Sequence, residues 1–165
     1  MPFSPFHFGI ALLIQSILLF LDPFSLFIGS VILDIEGITA WFILPNSFVQ
    51  LHGPLHSFTL AIIVGSISGL LINLIYTLLI DYYKIENLPK FTKRVSIGSS
   101  LFGTISHVIL DAFLYEEMDL FYPIEGNMLF GMFSSSEVYL FCILAGIFGL
   151  LVLCFRLILK TRNKL

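Results

Sequence analysis

The sharpest chemical signal in the sequence is a histidine and an aspartate four residues apart, His107 and Asp111. On a helix this spacing places both side chains on one face and one turn apart, a separation at which two side chains can bind one metal ion. The same face carries Ser99 and Gly103, small residues that let a second helix approach closely. We therefore expect this face to point into a helical bundle. The alternative is a buried hydrogen-bonded pair that joins helices.

The other three histidines lie where the sequence predicts helix starts or turns. His52 and His56 share the four-residue spacing, but Pro54 favours the first turn of a helix, which would leave His52 in the loop or at the cap. His7 lies at an expected helix start. Two alternatives remain open: His7 as an interfacial anchor and His52 as a solvated loop residue.

Two acidic residues, Asp34 and Glu36, lie near the middle of an apolar stretch. A charged side chain at the centre of a membrane helix costs about 2.5–3.5 kcal/mol unless it is paired or faces a polar cavity. Residues two apart point about 200° apart around a helix, so both can face one site only if the backbone breaks, for which Gly37 is the candidate. We interpret Asp34 as the inward-facing residue.

The elements that must position these residues are apolar stretches long enough for membrane helices, at 5–21, 24–44, 55–80, 95–114 and 136–159. About 20 apolar residues cross a hydrocarbon core of about 30 Å, so this length accommodates roughly four or five spans. The sequence predicts an all-α, multi-pass transmembrane bundle of about five spans in a single domain over 1–165. A re-entrant half-helix at 24–33 is the alternative for the second stretch.

The eight Lys and Arg residues all lie in two segments, the 81–94 loop and the end of the chain from Arg156 onward. Basic loops remain cytoplasmic, and two predicted spans separate these segments, the even number that a shared side requires. Counting five spans backward places the N-terminus outside and the C-terminus in the cytoplasm, with the 45–54 and 115–135 loops outside. All four histidines then lie at the outer end. With four spans the N-terminus would be inside.

The composition excludes several classes of protein. Hydrophobic residues make up 58% of the chain and charged residues 12%, far more apolar than water-soluble domains. The net charge is -3 and the first basic residue is Lys84, so no basic surface is available for nucleic acid. Cys142 and Cys154 would lie about 18 Å apart along a helix, too far to form a disulfide with each other. We expect a multi-pass protein of the cell membrane with buried thiols.

The grouping of every histidine with inward acids in one leaflet favours a metal site over scattered structural residues. Imidazole and carboxylate groups suit Zn²⁺ or a similar divalent ion, and their number allows one or two ions. Such a centre activates water for attack on phosphorus or a carbonyl carbon, and Glu36 or an outer-loop carboxylate is the expected catalytic proton shuttle. The expected metal ligands are His7, Asp34, His52, His56, His107 and Asp111.

At these residues the chain resembles the membrane-bound metal-dependent hydrolase family of the YdjM type. The resemblance is carried by Pro5-Phe6-His7-Phe8-Gly9, Leu33-Asp34-Ile35-Glu36, His52-Gly53-Pro54-Leu55-His56-Ser57 and Ser106-His107-Val108-Ile109-Leu110-Asp111. In that family the acidic motif commonly reads Pro-Asp-x-Asp, where this chain has Leu33 and Glu36. The family looks distantly similar to zinc-dependent phospholipase C, an α-helical enzyme with His-x-x-x-Asp in a multi-zinc site. The resemblance implies a hydrolase with lipid or phosphoester substrates.

The leading hypothesis is a metal-dependent membrane hydrolase that acts on a lipid-like ester or phosphoester at the outer leaflet, surrounded by membrane lipids. One alternative is a small transporter, which predicts ionisable groups at both ends of the spans and requires a homo-oligomer at this chain length. The other alternative is a non-catalytic membrane scaffold in which the His and Asp groups join helices.

Overall fold

The computed structural model describes residues 4–43, 52–85 and 88–162. These ranges contain no β-strand and form six α-helices, with short 3-10 turns at Ser4–Phe6, Ile32–Asp34 and Pro54–His56. The helices are α1 (His7–Ile17), α2 (Pro23–Gly29), α3 (Ile35–Ile43), α4 (Phe58–Tyr83), α5 (Lys93–Ala112) and α6 (Ser135–Arg162). The prediction of an all-α fold is confirmed.

Helices α4, α5 and α6 are long and apolar enough to cross a membrane, in agreement with the last three predicted spans. Each begins where a side chain caps its first turn. Ser57 and Thr92 accept hydrogen bonds from backbone N–H groups of α4 and α5. Before α6, the N–H of Ser134 donates to Glu137 Oε2 at 2.7 Å and the N–H of Glu137 donates to Ser134 Oγ at 3.3 Å, a reciprocal capping box.

Helices α1 and α2 form a hairpin that begins and ends at the same end of the bundle. Helix α1 starts beside Asp111, near the C-terminal end of α5, and the residue that follows α2 contacts His107. Between the two helices, the backbone N–H of Asp22 donates to Ser99 Oγ at 2.8 Å, about three turns further down α5. Helix α1 is shorter than the predicted span at 5–21 because the chain turns back at this point.

The predicted span at 24–44 is not one continuous helix, because the chain breaks into α2, a 3-10 turn and α3. In a continuous helix the Ser30 carbonyl would accept a hydrogen bond from the N–H of Asp34. Here His107 Nδ1 donates to that carbonyl at 2.8 Å instead. The break therefore lies upstream of Gly37, which is inside α3 and not at a break. Five continuous spans are corrected to three candidate spans that follow a helical hairpin.

Helix α5 is the centre of the bundle. In its most apolar stretch 56% of the residues are buried, against 22% in α4 and in α6. A methyl group added at Gly103 would lie 2.5 Å from the Leu26 carbonyl oxygen of α2, and one added at Gly69 of α4 would lie 2.7 Å from Ile97 Cα. Ser99 is fully buried beside Asp22. The expectation that the face carrying Ser99 and Gly103 points into the bundle is confirmed.

The segment between α5 and α6 covers the end of the bundle at which α5 ends. Its Met118 and Leu120 are fully buried against Val108 of α5, and the Leu120 carbonyl accepts a hydrogen bond from the N–H of Phe58 at 2.9 Å. The first part of the predicted 115–135 loop, up to Leu120, is therefore packed over this end, whereas residues 121–126 are exposed. We call the segment 113–134 the cover. Most of the loop predicted at 45–54 lies outside the described residues.

Candidate metal centre

Four ionisable side chains from three separate parts of the chain meet inside the bundle, beneath the 113–134 cover. Asp34, His56, His107 and Asp111 each offer a ligand atom, and these atoms all lie within 4.8 Å of one another. All four side chains are buried, and His107 Nε2 lies 3.7 Å from Asp34 Oδ1. A buried group of this composition could hold a metal ion.

Asp111 is the common neighbour of all four imidazoles. Its Oδ2 lies 3.2 Å from His107 Nε2, 3.9 Å from His56 Nε2 and 4.0 Å from His52 Nε2. Its Oδ1 lies 3.4 Å from His7 Nε2. Neighbouring ligand atoms of a tetrahedral zinc site are about 3.3 Å apart, so these separations are close to those of a filled site.

Local backbone structure explains how each side chain reaches this point. His107 and Asp111 lie one turn apart on α5, and the His7 ring at the start of α1 stacks on His107 with 4.0 Å between centroids. Asp34 ends one 3-10 turn and His56 ends another, and the second turn begins at Pro54 as expected for a proline. Short turns replace helix at both positions, which lets side chains from irregular backbone enter the bundle.

Three of the four imidazoles are held from outside the cluster through Nδ1. The contacts are His107 Nδ1 to the Ser30 carbonyl at 2.8 Å, His56 Nδ1 to Glu36 Oε2 at 3.0 Å and His52 Nδ1 to Glu117 Oε1 at 3.3 Å. Because carbonyl and carboxylate oxygens accept hydrogen bonds, each Nδ1 is the donor, and Nε2 of the neutral ring is left with its lone pair directed at the cluster. This is the arrangement in which metal-binding histidines are oriented by outer partners.

The atoms that face one another inside the cluster are unsatisfied. Nε2 of His56 and of His107, both ring nitrogens of His7, Oδ2 of Asp34 and both oxygens of Asp111 are buried with no hydrogen-bond partner among the described residues. Lone pairs and carboxylate oxygens repel one another, and a buried charge without a partner is costly. A divalent cation would satisfy together those atoms that face the cluster, so the residues present fit a metal ion. For His7 the atom that faces the cluster is Nε2, which lies 3.4 Å from Asp111 Oδ1.

The environment of the outermost histidine favours its neutral form. Burial lowers the pKa of His52 below its usual range, despite the opposing effect of Asp111. Tyr115 stacks on the His52 ring with 3.6 Å between centroids, and burial raises the pKa of its phenol above its usual range. Metal ions bind neutral imidazole, so the burial of His52 prepares it as a ligand.

The other five predicted ligands all lie near Asp111. His7 and His52 are each 2% exposed, so the interfacial-anchor and solvated-loop alternatives are wrong. Asp34 faces inward as expected. Glu36 lies on the outer side of His56, where it also accepts from the N–H of Leu55 at 3.4 Å, and it faces the ring and not the unsatisfied atoms of the cluster.

Sequence reasoning did not identify the residues that hold two of the histidines. Glu117 is one of several acidic residues in the outer loop, and nothing in the sequence distinguishes it from the others. The carbonyl of Ser30 carries no signal in the sequence, because any residue type would supply it. The stacking of Tyr115 on His52 joins positions that no periodic pattern links.

Comparison of the chain with protein-family models, curated proteins and solved structures gives no match.

Proposed function

We propose that this protein is a membrane-embedded metal-dependent hydrolase that acts on a lipid-like ester or phosphoester at the outer leaflet. The observation that carries the proposal is the convergence of buried imidazoles, three of them oriented through Nδ1, on the unsatisfied carboxylates of Asp111 and Asp34. The resemblance to membrane-bound metal-dependent hydrolases of the YdjM type supports the same reaction class.

His56, His107, Asp34 and Asp111 are the proposed core ligands, and His7 and His52 complete the site. The nitrogen and oxygen donors suit one or two Zn²⁺ ions. When bound, zinc supplies Lewis acidity that polarises the scissile group and activates water. Glu36 contacts His56 from outside, which supports a positioning role, and its role as a proton shuttle stays a prediction.

The setting of the site supports a lipid-like substrate. The cluster lies at the end of the bundle where apolar helices meet the 113–134 cover. On that cover large apolar side chains are exposed, including Ile124 at 70% and Met128 at 74%. An exposed apolar surface beside membrane helices is suited to contact with lipid. These exposed apolar side chains support contact between the cover and lipid, the proposed source of the substrate.

The burial of the cluster supports a second candidate, a scaffold in which a metal ion ties elements together. His107 and Asp111 are 0% and 1% exposed, and the cluster joins α1 and α5 to the 3-10 turns at Ile32–Asp34 and Pro54–His56. A structural ion would stabilise the bundle without any turnover.

Metal content tests the site first. Elemental analysis of the detergent-purified protein should detect Zn²⁺ or a similar divalent ion, with loss of the metal in His107→Ala and Asp111→Ala. Asp81→Ala is the matched control, since Asp81 is exposed and pairs with Lys90 outside the cluster. Circular dichroism should show that the variants remain helical. Absence of metal in the parent protein would remove the proposal.

A substrate panel then separates the hydrolase from the scaffold. Mixed micelles of carboxylic ester and phosphoester lipids should be hydrolysed by the metal-loaded parent, and activity should disappear with a chelator and return with Zn²⁺. A protein that binds metal, melts at lower temperature after chelation and hydrolyses none of the lipids would favour the scaffold.

A further inference from the structure

His52 differs from the other histidines in the way that its ring is held. His7 and His107 lie on helices, and His56 lies in the turn that leads into α4. His52 precedes that turn and lies outside every helix, in a short described segment next to residues that the structure does not describe. A backbone outside a helix fixes the direction of the His52 side chain less than a helix would. The orientation of its ring therefore depends more on the contacts that the ring makes.

Those contacts come from the segment that follows α5. Tyr115 lies flat on one face of the His52 ring, with 22° between the planes, and Glu117 Oε1 contacts Nδ1 at 3.3 Å. The opposite nitrogen, Nε2, faces Asp111 Oδ2 at 4.0 Å. A rotation of the ring that turned Nε2 away from Asp111 would therefore break the contact between Glu117 and Nδ1.

The segment that carries Glu117 is itself fixed. The next residue, Met118, is fully buried in the core. Asn127 Nδ2 lies 2.7 Å from the Tyr115 carbonyl and 2.7 Å from the Ala112 carbonyl, and both carbonyls accept its hydrogen bonds. The Glu117 side chain is 45% exposed, so its carboxylate reaches the cluster from the solvent side of a packed segment.

We propose that Glu117 is a positioning residue that orients His52 toward Asp111 and so completes the metal site from its solvent side. This inference rests on the proposed metal site, and it assigns to the exposed cover a role in metal affinity. Glu117 acts through the ring of His52, as outer carboxylates do for metal-binding histidines elsewhere. Neighbouring acids in the cover, such as Glu116, have no such role.

The test compares Zn²⁺ affinity in the full-length protein by competition with a chelator. Glu117→Ala should weaken binding about 10- to 100-fold, the range found when outer partners of metal ligands are removed. Glu117→Gln should recover most of that loss, because its amide oxygen still accepts from Nδ1. Glu116→Ala, which removes an exposed charge one residue away, should bind as the parent does.

The spectrum of the cobalt(II)-loaded protein provides a second readout, since its visible bands report the ligands and their geometry. These bands should change in Glu117→Ala and return in Glu117→Gln. Parental affinity and bands in Glu117→Ala, or an equal loss in Glu116→Ala, would overturn the inference and leave the proposed function in place. A parent protein that binds neither metal would overturn both.

Discussion

Asp111 lies close to all four histidines of the cluster, because its two oxygens face different rings. Oδ1 faces His7, and Oδ2 faces His107 and, at longer distance, His56 and His52. Neither oxygen has a hydrogen-bond partner among the described residues. The carboxylate therefore suits a cation and makes a poor hydrogen-bonding partner for the neutral rings of His52, His56 and His107, in which Nδ1 carries the proton and Nε2 does not.

Because Asp111 is an unsatisfied anion, we expect Asp111→Asn to lose metal binding without losing thermal stability. The amide keeps the shape of the side chain, removes its charge and adds an N–H₂ group that can donate to the Nε2 lone pairs. Metal binding should fall below detection, while the thermal midpoint of the metal-free protein in detergent should stay at the parental value or rise. Asp111→Ala should lose metal binding and also melt at a lower temperature than the parent, because truncation of this buried side chain leaves a cavity.

Asp81→Asn is the matched control, because it makes the same chemical change in an exposed carboxylate outside the cluster. It should leave metal content and the thermal midpoint unchanged within the small effect of a surface ion pair. A metal-free Asp111→Asn protein much less stable than the parent would contradict the account of Asp111 as an unsatisfied anion.

The close packing of α2 against α5 positions one side of the metal site. A methyl group at Gly103 would lie 2.5 Å from the Leu26 carbonyl oxygen and 2.6 Å from the Ser30 nitrogen, all of it backbone that cannot move aside as a side chain can. Ser30 is also the residue whose carbonyl orients His107. Separation of these two helices should therefore disturb packing and the metal site together.

Gly103→Ala is accordingly expected to destabilise the protein by about 1–3 kcal/mol, the usual cost of overpacking, and to weaken Zn²⁺ binding. Thermal unfolding in detergent and chelator competition measure the two effects. Gly98→Ala is the control on the same helix, since a methyl group there would meet nothing within 4 Å. A Gly103→Ala protein with parental stability and affinity would show that α2 and α5 are not packed this closely.

Helices α5 and α2 differ in how much of their structure the sequence could predict. The inward face of α5 was predictable because the spacing of Ser99, Gly103, His107 and Asp111 is a local property of one helix. The alternative of a half-helix at 24–33 anticipated a break in this stretch, but α2 ends earlier, at Gly29. That position was not predictable, because the His107 ring takes the Ser30 carbonyl, 77 positions away in the chain. The spacing of residues within one helix predicts which face points inward. The end of a helix such as α2 depends on hydrogen bonds to residues far away in the chain, which the spacing does not reveal.

Asp22 is a second residue whose environment the sequence did not predict. Its burial also bears on the transporter alternative. The sequence indicated only a connecting turn, whereas the structure buries this carboxylate completely, away from the metal centre. Its oxygens accept from the N–H groups of Phe24 and Ser25 and from the hydroxyls of Ser25 and Ser96. A carboxylate satisfied by four donors caps α2 and ties it to α5, so its burial is explained without a transport pathway.

In the molecule as a whole, the α1–α2 hairpin leaves the same segments at the same end of the bundle as the five predicted spans would. Two full spans and one hairpin both return the chain to the face from which it started. The start of α1, the start of α4 and the 113–134 cover therefore share one end of the bundle, as expected. The basic residues that the structure describes belong to the other end, where Lys90, beyond the end of α4, pairs with Asp81 in the last turn of α4.

This charge asymmetry predicts that the metal centre faces the outside of the cell, because basic segments remain in the cytoplasm. Single cysteines placed at Glu116 and at Lys90, in a background with Cys154→Ser, test it. A membrane-impermeant maleimide applied to intact cells should label Glu116→Cys and leave Lys90→Cys unlabelled until the cells are permeabilised. Cys142 is buried as expected and should give little background, whereas Cys154 is exposed, contrary to the expectation of a buried thiol, and is therefore replaced. The reverse pattern would place the site in the cytoplasm, and the proposed substrate would then have to come from the inner leaflet.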